Sequence, residues 1–147
     1  MDVNLIRVDL AAVSVRLGKP DALSHAERLD LQILSGRSDV LFQGPAIFAM
    51  CHLGRVHLEK GNPGESQRYA VGAVNAMESP TNRDIAIDPR VYFNQYEIFK
   101  RLGDEKAALA LQRARVTLCA RARTLPPRLR RDYLRRVASN RDICRSR

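Results

Sequence analysis

Few residues of this sequence have a type and spacing that could catalyse a reaction or bind a metal ion. His52 and His57 are five positions apart, which on a helix turns their side chains about 140° away from each other. They cannot chelate one metal ion as a pair spaced by four residues does. Cys51 precedes His52, but adjacent helical residues face in different directions, so the two do not form a nucleophile and its base. These histidines, and His25 with them, are predicted to be surface or packing residues.

Carboxylates and phosphate-binding motifs offer no catalytic set either. Asp84 and Asp88 lie in a predicted loop without an indicated histidine partner, and we expect them to be solvated or to cap a helix. The phosphate-binding pattern G-x-x-x-x-G-K-[ST] does not occur in the sequence. Three scattered cysteines with no C-x-x-C pair indicate reduced thiols and no disulfide framework. The sequence therefore predicts a protein that is not an enzyme and has no metal site and no cofactor.

The elements that position these side chains are predicted to be helices. Hydrophobic residues make up 45% of the 147-residue chain and aromatic residues 5%, so Ala, Leu and Val supply most of the apolar content. That mixture favours tightly packed helices over a β-sandwich. The first residues have neither the cationic start nor the apolar run of a secretory signal. No stretch is apolar for long enough to span a bilayer, and we expect a soluble, cytoplasmic protein that does not bind membranes.

Three glycines mark the bends of three predicted helical hairpins. Gly18, Gly61 and Gly103 are 43 and 42 residues apart, and each lies between apolar patterns of helical period. The hairpins are predicted over residues 3–36, 46–79 and 89–124, with a last amphipathic helix over 127–139 that would cap the stack. In the returning helix of the first hairpin, the expected core face is Ala22, Ala26, Leu29 and Ile33.

The hairpins resemble tetratricopeptide repeats. That family has a Leu-Gly pair about seven or eight residues before the turn glycine and a small residue early in the second helix. Leu53-Gly54 matches the pair before Gly61, and Leu10-Ala11 matches it approximately before Gly18. The resemblance implies an all-α fold, an α-solenoid of three antiparallel helix hairpins with a C-terminal capping helix, in a single domain over residues 1–147. The small positions are matched by Ala22, Ala107 and Ala114.

The spacing of the turn glycines is longer than the family's usual repeat of about 34 residues. In this respect the chain is similar to the looser arrays near the C-termini of large bacterial signalling ATPases and LuxR-type transcription regulators. The resemblance implies a non-catalytic scaffold or sensor of a bacterial regulatory system, which binds a peptide or protein segment in a concave groove. The partner could be another domain of a parent regulator or a second copy of the chain. Carried over to this sequence, the groove residues are Arg16, Arg55, Glu59, Phe93, Glu97, Lys100 and Arg101.

The positive charge of the chain is concentrated at its C-terminal end. Residues 113–147 contain 12 Arg and two Asp, whereas the first 112 residues hold 13 basic and 14 acidic groups. Such an end could neutralise the phosphates of a nucleic acid, which is the alternative function that the sequence allows. It could also be a solvated face or contact acidic parts of a parent protein. The candidate basic patch is Arg113, Arg121, Arg123, Arg128, Arg131 and Arg135.

One short string resembles a protease recognition sequence. Residues Val40 to Pro45 match the motif that picornaviral cysteine proteases cleave between Gln and Gly. The string lies in the predicted loop between the first two hairpins, where an exposed cleavable segment is expected. The sequence does not decide whether these residues are a native loop or an engineered protease site.

Overall fold

The computed structural model describes residues 10–11, 19–35, 43–82 and 87–146, and all regular structure within these ranges is helical. The predicted all-α class is therefore confirmed for this part of the chain. None of its helices is both long and apolar enough to cross a lipid bilayer. The helices are α1 (Pro20–Ser35), α2 (Gln43–Glu59), α3 (Pro63–Glu78), α4 (Pro89–Leu102), α5 (Ala107–Thr124), α6 (Pro127–Arg136) and α7 (Ala138–Arg145), and a 3-10 turn (Pro80–Asn82) follows α3.

Prolines and glycines set most of these boundaries. Helices α1, α3, α4 and α6 each begin at a proline, whose missing N–H costs nothing in a first turn. Gly61 and Gly103 adopt φ values of 74° and 69°, in the left-handed region that glycine enters without a steric penalty. Gly103 then ends α4 by donating its N–H to the carbonyls of Lys100 and Phe99. The bends predicted at Gly61 and Gly103 are thus confirmed, whereas Gly18 lies outside the described residues.

The chain divides into two compact units, an N-terminal unit (Met1–Ala86) and a C-terminal unit (Ile87–Arg147). In the N-terminal unit, α2 packs against both α1 and α3. Where α2 meets α3, Leu53 is fully buried and the backbone carbonyl of Gly54 accepts a 2.6 Å hydrogen bond from the Ser66 hydroxyl. The small residues Gly54 and Ser66 let the helices approach closely at this contact, and Leu53 fills the core beside it.

The buried face of α1 differs from the predicted one. It consists of Leu23, Ala26, Asp30 and Ile33, while Ala22 and Leu29 are only partly buried. The prediction is confirmed for Ala26 and Ile33, and Leu29 packs against the edge of the core. It missed Asp30, because it was drawn through apolar residues only. A carboxylate takes a core position in α1, since its partner is supplied by α2.

In the C-terminal unit, α4 and α5 form a packed hairpin, and α6 and α7 fold back against it. Asp88 caps α4, because its carboxylate accepts a 2.8 Å hydrogen bond from the backbone N–H of Arg90. Of the two roles expected for Asp88, solvated group or helix cap, the structure shows the cap, and Asp84 lies outside the described residues. The apolar core of this unit includes Val91, Ile98 and Phe99 from α4, Leu111, Ala114 and Leu118 from α5, and Ile143 from α7.

The segment predicted as one helix over 127–139 forms two helices. The first ends at Arg136, and Val137 is extended, with φ −74° and ψ 116°. Helix α7 then starts at Ala138, and the buried Asn140 amide donates a 3.0 Å hydrogen bond to the Tyr133 carbonyl, which a continuous helix would have paired with Val137. The break turns α7 back toward α5 and allows Ile143 to be fully buried.

The string that resembles a protease recognition sequence is only partly a loop. Gln43, Gly44 and Pro45 belong to the first turn of α2, where a proline is tolerated. The expectation of an exposed loop is wrong for these three residues, because the helix begins earlier than predicted. Residues 40–42 lie outside the described ranges.

Candidate functional site

An open groove of about 420 Å³ lies between α4 and α5 in the C-terminal unit. Two small residues, Ala107 and Ala108, line it at the start of α5 and leave the space that larger side chains would fill. Its floor is apolar, since the Tyr96 ring and Leu111 are buried there. The larger lining residues of this α4–α5 groove are Tyr96, Lys100, Leu111, Gln112, Arg115 and Val116.

Lys100 is held at one rim of the groove by the residue one turn before it. Its ammonium donates a 2.9 Å hydrogen bond to the Tyr96 hydroxyl and lies 5.3 Å from the centroid of that ring. Both contacts are electrostatically favourable, and they limit the rotamers available to a long side chain. The ammonium is therefore presented at a defined position beside the apolar floor.

Arg115 is held at the groove by the end of α7. Its Nε donates a 3.4 Å hydrogen bond to the carbonyl of Ile143, and Nη2 donates to the carbonyl of Ser146. Because Ile143 is buried in the core, these acceptors are anchored. A guanidinium has five N–H donors, so Arg115 keeps donors for a ligand after making these two contacts.

Of the predicted groove residues, only Lys100 lines this cavity. Phe93 is buried, and its ring stacks on Tyr96 with 5.5 Å between centroids, so it supports the floor from behind. Glu97 is partly buried and Arg101 is exposed. Arg55 and Glu59 lie on α2 in the N-terminal unit, and Arg16 is outside the described residues.

Most residues that line the groove were not predicted from the sequence. Tyr96 could have been found, because it is four residues before Lys100 and therefore shares its helical face. Val116 could also have been found, because it is an apolar residue off the predicted core stripe of α5. In the structure its side chain is 63% exposed. Nothing in the sequence pairs Arg115 with Ile143, because that contact joins helices far apart in the chain.

The predicted basic patch divides into two groups. The Arg113 guanidinium lies 5.9 Å from the centroid of the Tyr92 ring, and Arg121 lies 3.5 Å from the Asp88 carboxylate. These two arginines serve packing and ion pairing within the C-terminal unit. The remaining four are exposed to solvent: Arg123, Arg128, Arg131 and Arg135.

A second, smaller cavity of about 180 Å³ surrounds Asp88. Burial opposes ionisation of this carboxyl, but the hydrogen bonds from Arg90 and the charge of Arg121 outweigh it and lower the pKa of Asp88 below its usual range. Tyr133 and Asn140 close the cavity from α6 and α7. Asp88 is therefore an ionised helix cap, and the positive charges of Arg90 and Arg121 balance it.

The N-terminal unit holds a buried acid–base pair between α1 and α2. The Nδ1 atom of His52 is 3.4 Å from Oδ1 of Asp30, and burial raises the pKa of the Asp30 carboxyl. One turn away on α1, the Glu27 carboxylate has two partners. Its Oε2 atom is 2.5 Å from Nζ of Lys60, and its Oε1 atom is 3.8 Å from Nε2 of His57. His52 and His57 on α2 therefore each face a carboxylate of α1, and these contacts link the two helices.

The described residues thus provide an apolar groove, a cationic end and a buried acid–base pair. No group of three His, Cys, Asp or Glu side chains among them could hold a metal ion. Comparison with protein-family models, with curated proteins and with solved structures finds no match to this chain.

Proposed function

We propose that this chain is a non-catalytic interaction module that binds a peptide or protein segment in the α4–α5 groove. The observation that carries the proposal is the combination of an apolar floor with two cations held at its rim, Lys100 and Arg115. The role implied by the tetratricopeptide resemblance, a scaffold or sensor of a bacterial regulatory system, is part of the same proposal.

The size and chemistry of the groove fit an anchoring side chain of a partner. A volume of about 420 Å³ accepts one large apolar side chain and the adjoining backbone. Apolar contact with Tyr96, Leu111 and Val116 would supply most of the affinity, as at the buried centre of a protein interface. The rim cations would donate to carbonyl or carboxylate oxygens of the bound segment and set its direction.

The pre-positioned rim supports binding for an entropic reason. Ordering a long side chain on binding costs about 0.5–1.5 kcal/mol, and this cost is reduced when the side chain is already held. Lys100 is held by Tyr96, and Arg115 is held by the carbonyls of α7. The groove therefore offers two cations that lose little further freedom when a partner arrives.

A displayed library of random peptides, selected on the full chain, tests the proposal. Selected peptides are synthesised, and their affinity is measured by fluorescence polarisation against the native chain and two variants. Val116→Asp places a charge in the groove, while Leu109→Asp makes the same change on α5 at a residue outside the lining; the two side chains are 63% and 52% exposed. Val116→Asp is expected to weaken binding at least about tenfold, a loss of about 1.4 kcal/mol, and Leu109→Asp to leave it unchanged.

Two outcomes would contradict the proposal. One is a selection that yields no peptide bound by the native chain. The other is an equal loss of binding in both variants, which would move the contact away from the groove. Circular dichroism of each variant checks that its helical content matches that of the native chain.

A further inference from the structure

The arginines of the C-terminal unit fall into a partnered group and an unpartnered group. The partnered group contacts carboxylates, carbonyls or rings of the same unit: Arg90, Arg113, Arg115, Arg121, Arg130, Arg136 and Arg141. Arg101 on α4 also has a partner. The unpartnered group makes no ion pair or side-chain hydrogen bond within residues 87–146. It consists of Arg123, Arg128, Arg131, Arg135 and Arg145, all of them exposed.

Three of the unpartnered arginines form one face of α6. Arg128, Arg131 and Arg135 are spaced by three and four residues, which places them within about 60° around the helix axis. Asp132 lies on the same side, but its carboxylate is 3.2 Å from Arg136, so that charge is already balanced. We call these three residues the outward face of α6.

The opposite side of α6 fixes the direction of this face. The Arg130 guanidinium donates hydrogen bonds of 3.1 to 3.2 Å to three backbone carbonyls at the end of α5. These carbonyls belong to Ala122, Arg123 and Leu125, at the helix end where the regular intrahelical donors run out. The Ala122 carbonyl also accepts the backbone N–H of Leu125. Arg130 thereby attaches α6 to α5, and its neighbours on the outward face point away from that attachment.

Helix stability does not explain the outward face. Arg128 lies in the first turn of α6, where the helix dipole is positive and a cation is unfavourable. Like charges three and four residues apart also repel each other. Both costs are removed when an anion binds along the face, so its charge pattern indicates an anionic partner.

We infer that the outward face of α6 binds the phosphate backbone of a nucleic-acid duplex, without reading its sequence. The three guanidinium groups span about 10 Å of helix axis, and a duplex presents one phosphate charge per about 1.7 Å. Guanidinium groups pair with phosphate oxygens through two parallel hydrogen bonds.

The composition of the face favours a duplex over a single strand or a membrane surface. It has no Asn or Gln to read base edges and no aromatic ring for stacking unpaired bases; Tyr133 lies on another side of α6, at the Asp88 cavity. Its only exposed apolar neighbour on α6 is Leu129, so it lacks the broad apolar surface of a membrane-bound helix.

Binding of a short fluorescein-labelled DNA duplex of arbitrary sequence to the full chain tests the inference. Affinity is measured by fluorescence polarisation between about 50 mM and about 200 mM salt, where log K is expected to fall with a slope of about −2.7 for three phosphate contacts. The triple variant Arg128→Gln, Arg131→Gln, Arg135→Gln is expected to lose at least about tenfold in affinity at the lower salt and most of this slope. A scrambled duplex is expected to bind equally well.

The matched control removes the same charge at exposed residues outside the basic patch, with Arg28→Gln, Arg68→Gln and Lys106→Gln. It is expected to keep most of the affinity and the salt slope. Equal losses in the two triple variants would overturn the inference, because net charge alone would then explain binding. So would the absence of binding at low salt, or binding of phosphatidylserine vesicles in place of DNA. Unchanged helical circular dichroism shows that each variant has folded.

Discussion

The Nδ1 atom of His52 lies 3.4 Å from Oδ1 of Asp30, and the Asp30 side chain has no exposed surface. Neither carboxylate oxygen of Asp30 has a hydrogen-bond donor of good geometry among the described residues. Burial therefore raises the pKa of Asp30, and His52 only partly opposes this shift. Glu27, Lys60 and His57 form a neighbouring cluster of ionisable side chains at the same helix contact.

The raised pKa of Asp30 predicts that the contribution of this residue to stability falls as the pH rises. A carboxyl whose folded-state pKa exceeds its unfolded value stabilises the fold below the unfolded pKa, and this contribution is lost as the pH passes the folded pKa. At neutral pH we therefore expect Asp30→Asn to unfold at a higher temperature than the native chain, with the difference shrinking in acid. Thermal denaturation followed by circular dichroism at several pH values measures it. The exposed Asp142→Asn serves as the control, and a marked loss of stability in Asp30→Asn at neutral pH would contradict the prediction.

The hydrogen bond between Ser66 and Gly54 predicts a measurable contribution to the packing of α2 on α3. The Ser66 hydroxyl is buried and donates to the Gly54 carbonyl at 2.6 Å. Ser66→Ala is expected to reduce the free energy of unfolding by about 1 kcal/mol, and Ser66→Val by about 1–3 kcal/mol because it overfills the contact. Urea denaturation gives both values. Ser35→Ala removes an exposed hydroxyl that bonds the Gln32 carbonyl and should cost less than about 0.5 kcal/mol.

Alanine substitution is expected to destabilise the chain at the two turn glycines and to stabilise it at Gly64. Gly61 and Gly103 have positive φ, and no atom beyond the adjoining residues lies within 4 Å of an added Cβ, so the cost of alanine there is conformational only. Gly61→Ala and Gly103→Ala should each destabilise the chain by about 1–2 kcal/mol. Gly64→Ala, in the first turn of α3 with equally open space, should stabilise it by about 0.5–1 kcal/mol. Chemical denaturation decides between these signs.

Arg130 predicts a structural effect that its neighbours on the outward face lack. Its guanidinium is a donor for three carbonyls at the end of α5. Arg130→Gln is expected to lower the free energy of unfolding by about 1–2 kcal/mol, because these acceptors lose a charged donor. Arg128→Gln should leave stability within about 0.5 kcal/mol. Guanidinium denaturation measures both, and equal stability of the two variants would contradict the assignment.

The sequence by itself determined the features that depend on local conformation. A glycine at a helix end can adopt the left-handed conformation locally, so the bends at Gly61 and Gly103 were predictable, and capping was one of two roles predicted for Asp88. Apolar periodicity and the absence of alternating segments were enough for the all-helical class of the described residues. The stacking of the helices as a solenoid and the identity of a partner stay predictions.

Only the tertiary structure decided which polar groups meet. Asp30 takes a core position because His52 faces it from another helix, and no helical period contains that information. The sequence shows that arginines are concentrated at the C-terminal end. It does not show that Arg130 is held by α5 carbonyls whereas Arg128 faces solvent. The break at Val137 depends likewise on the bond from Asn140 to the Tyr133 carbonyl. These contacts join residues distant in sequence or on separate helices, and long-range pairing is the information that local propensity lacks.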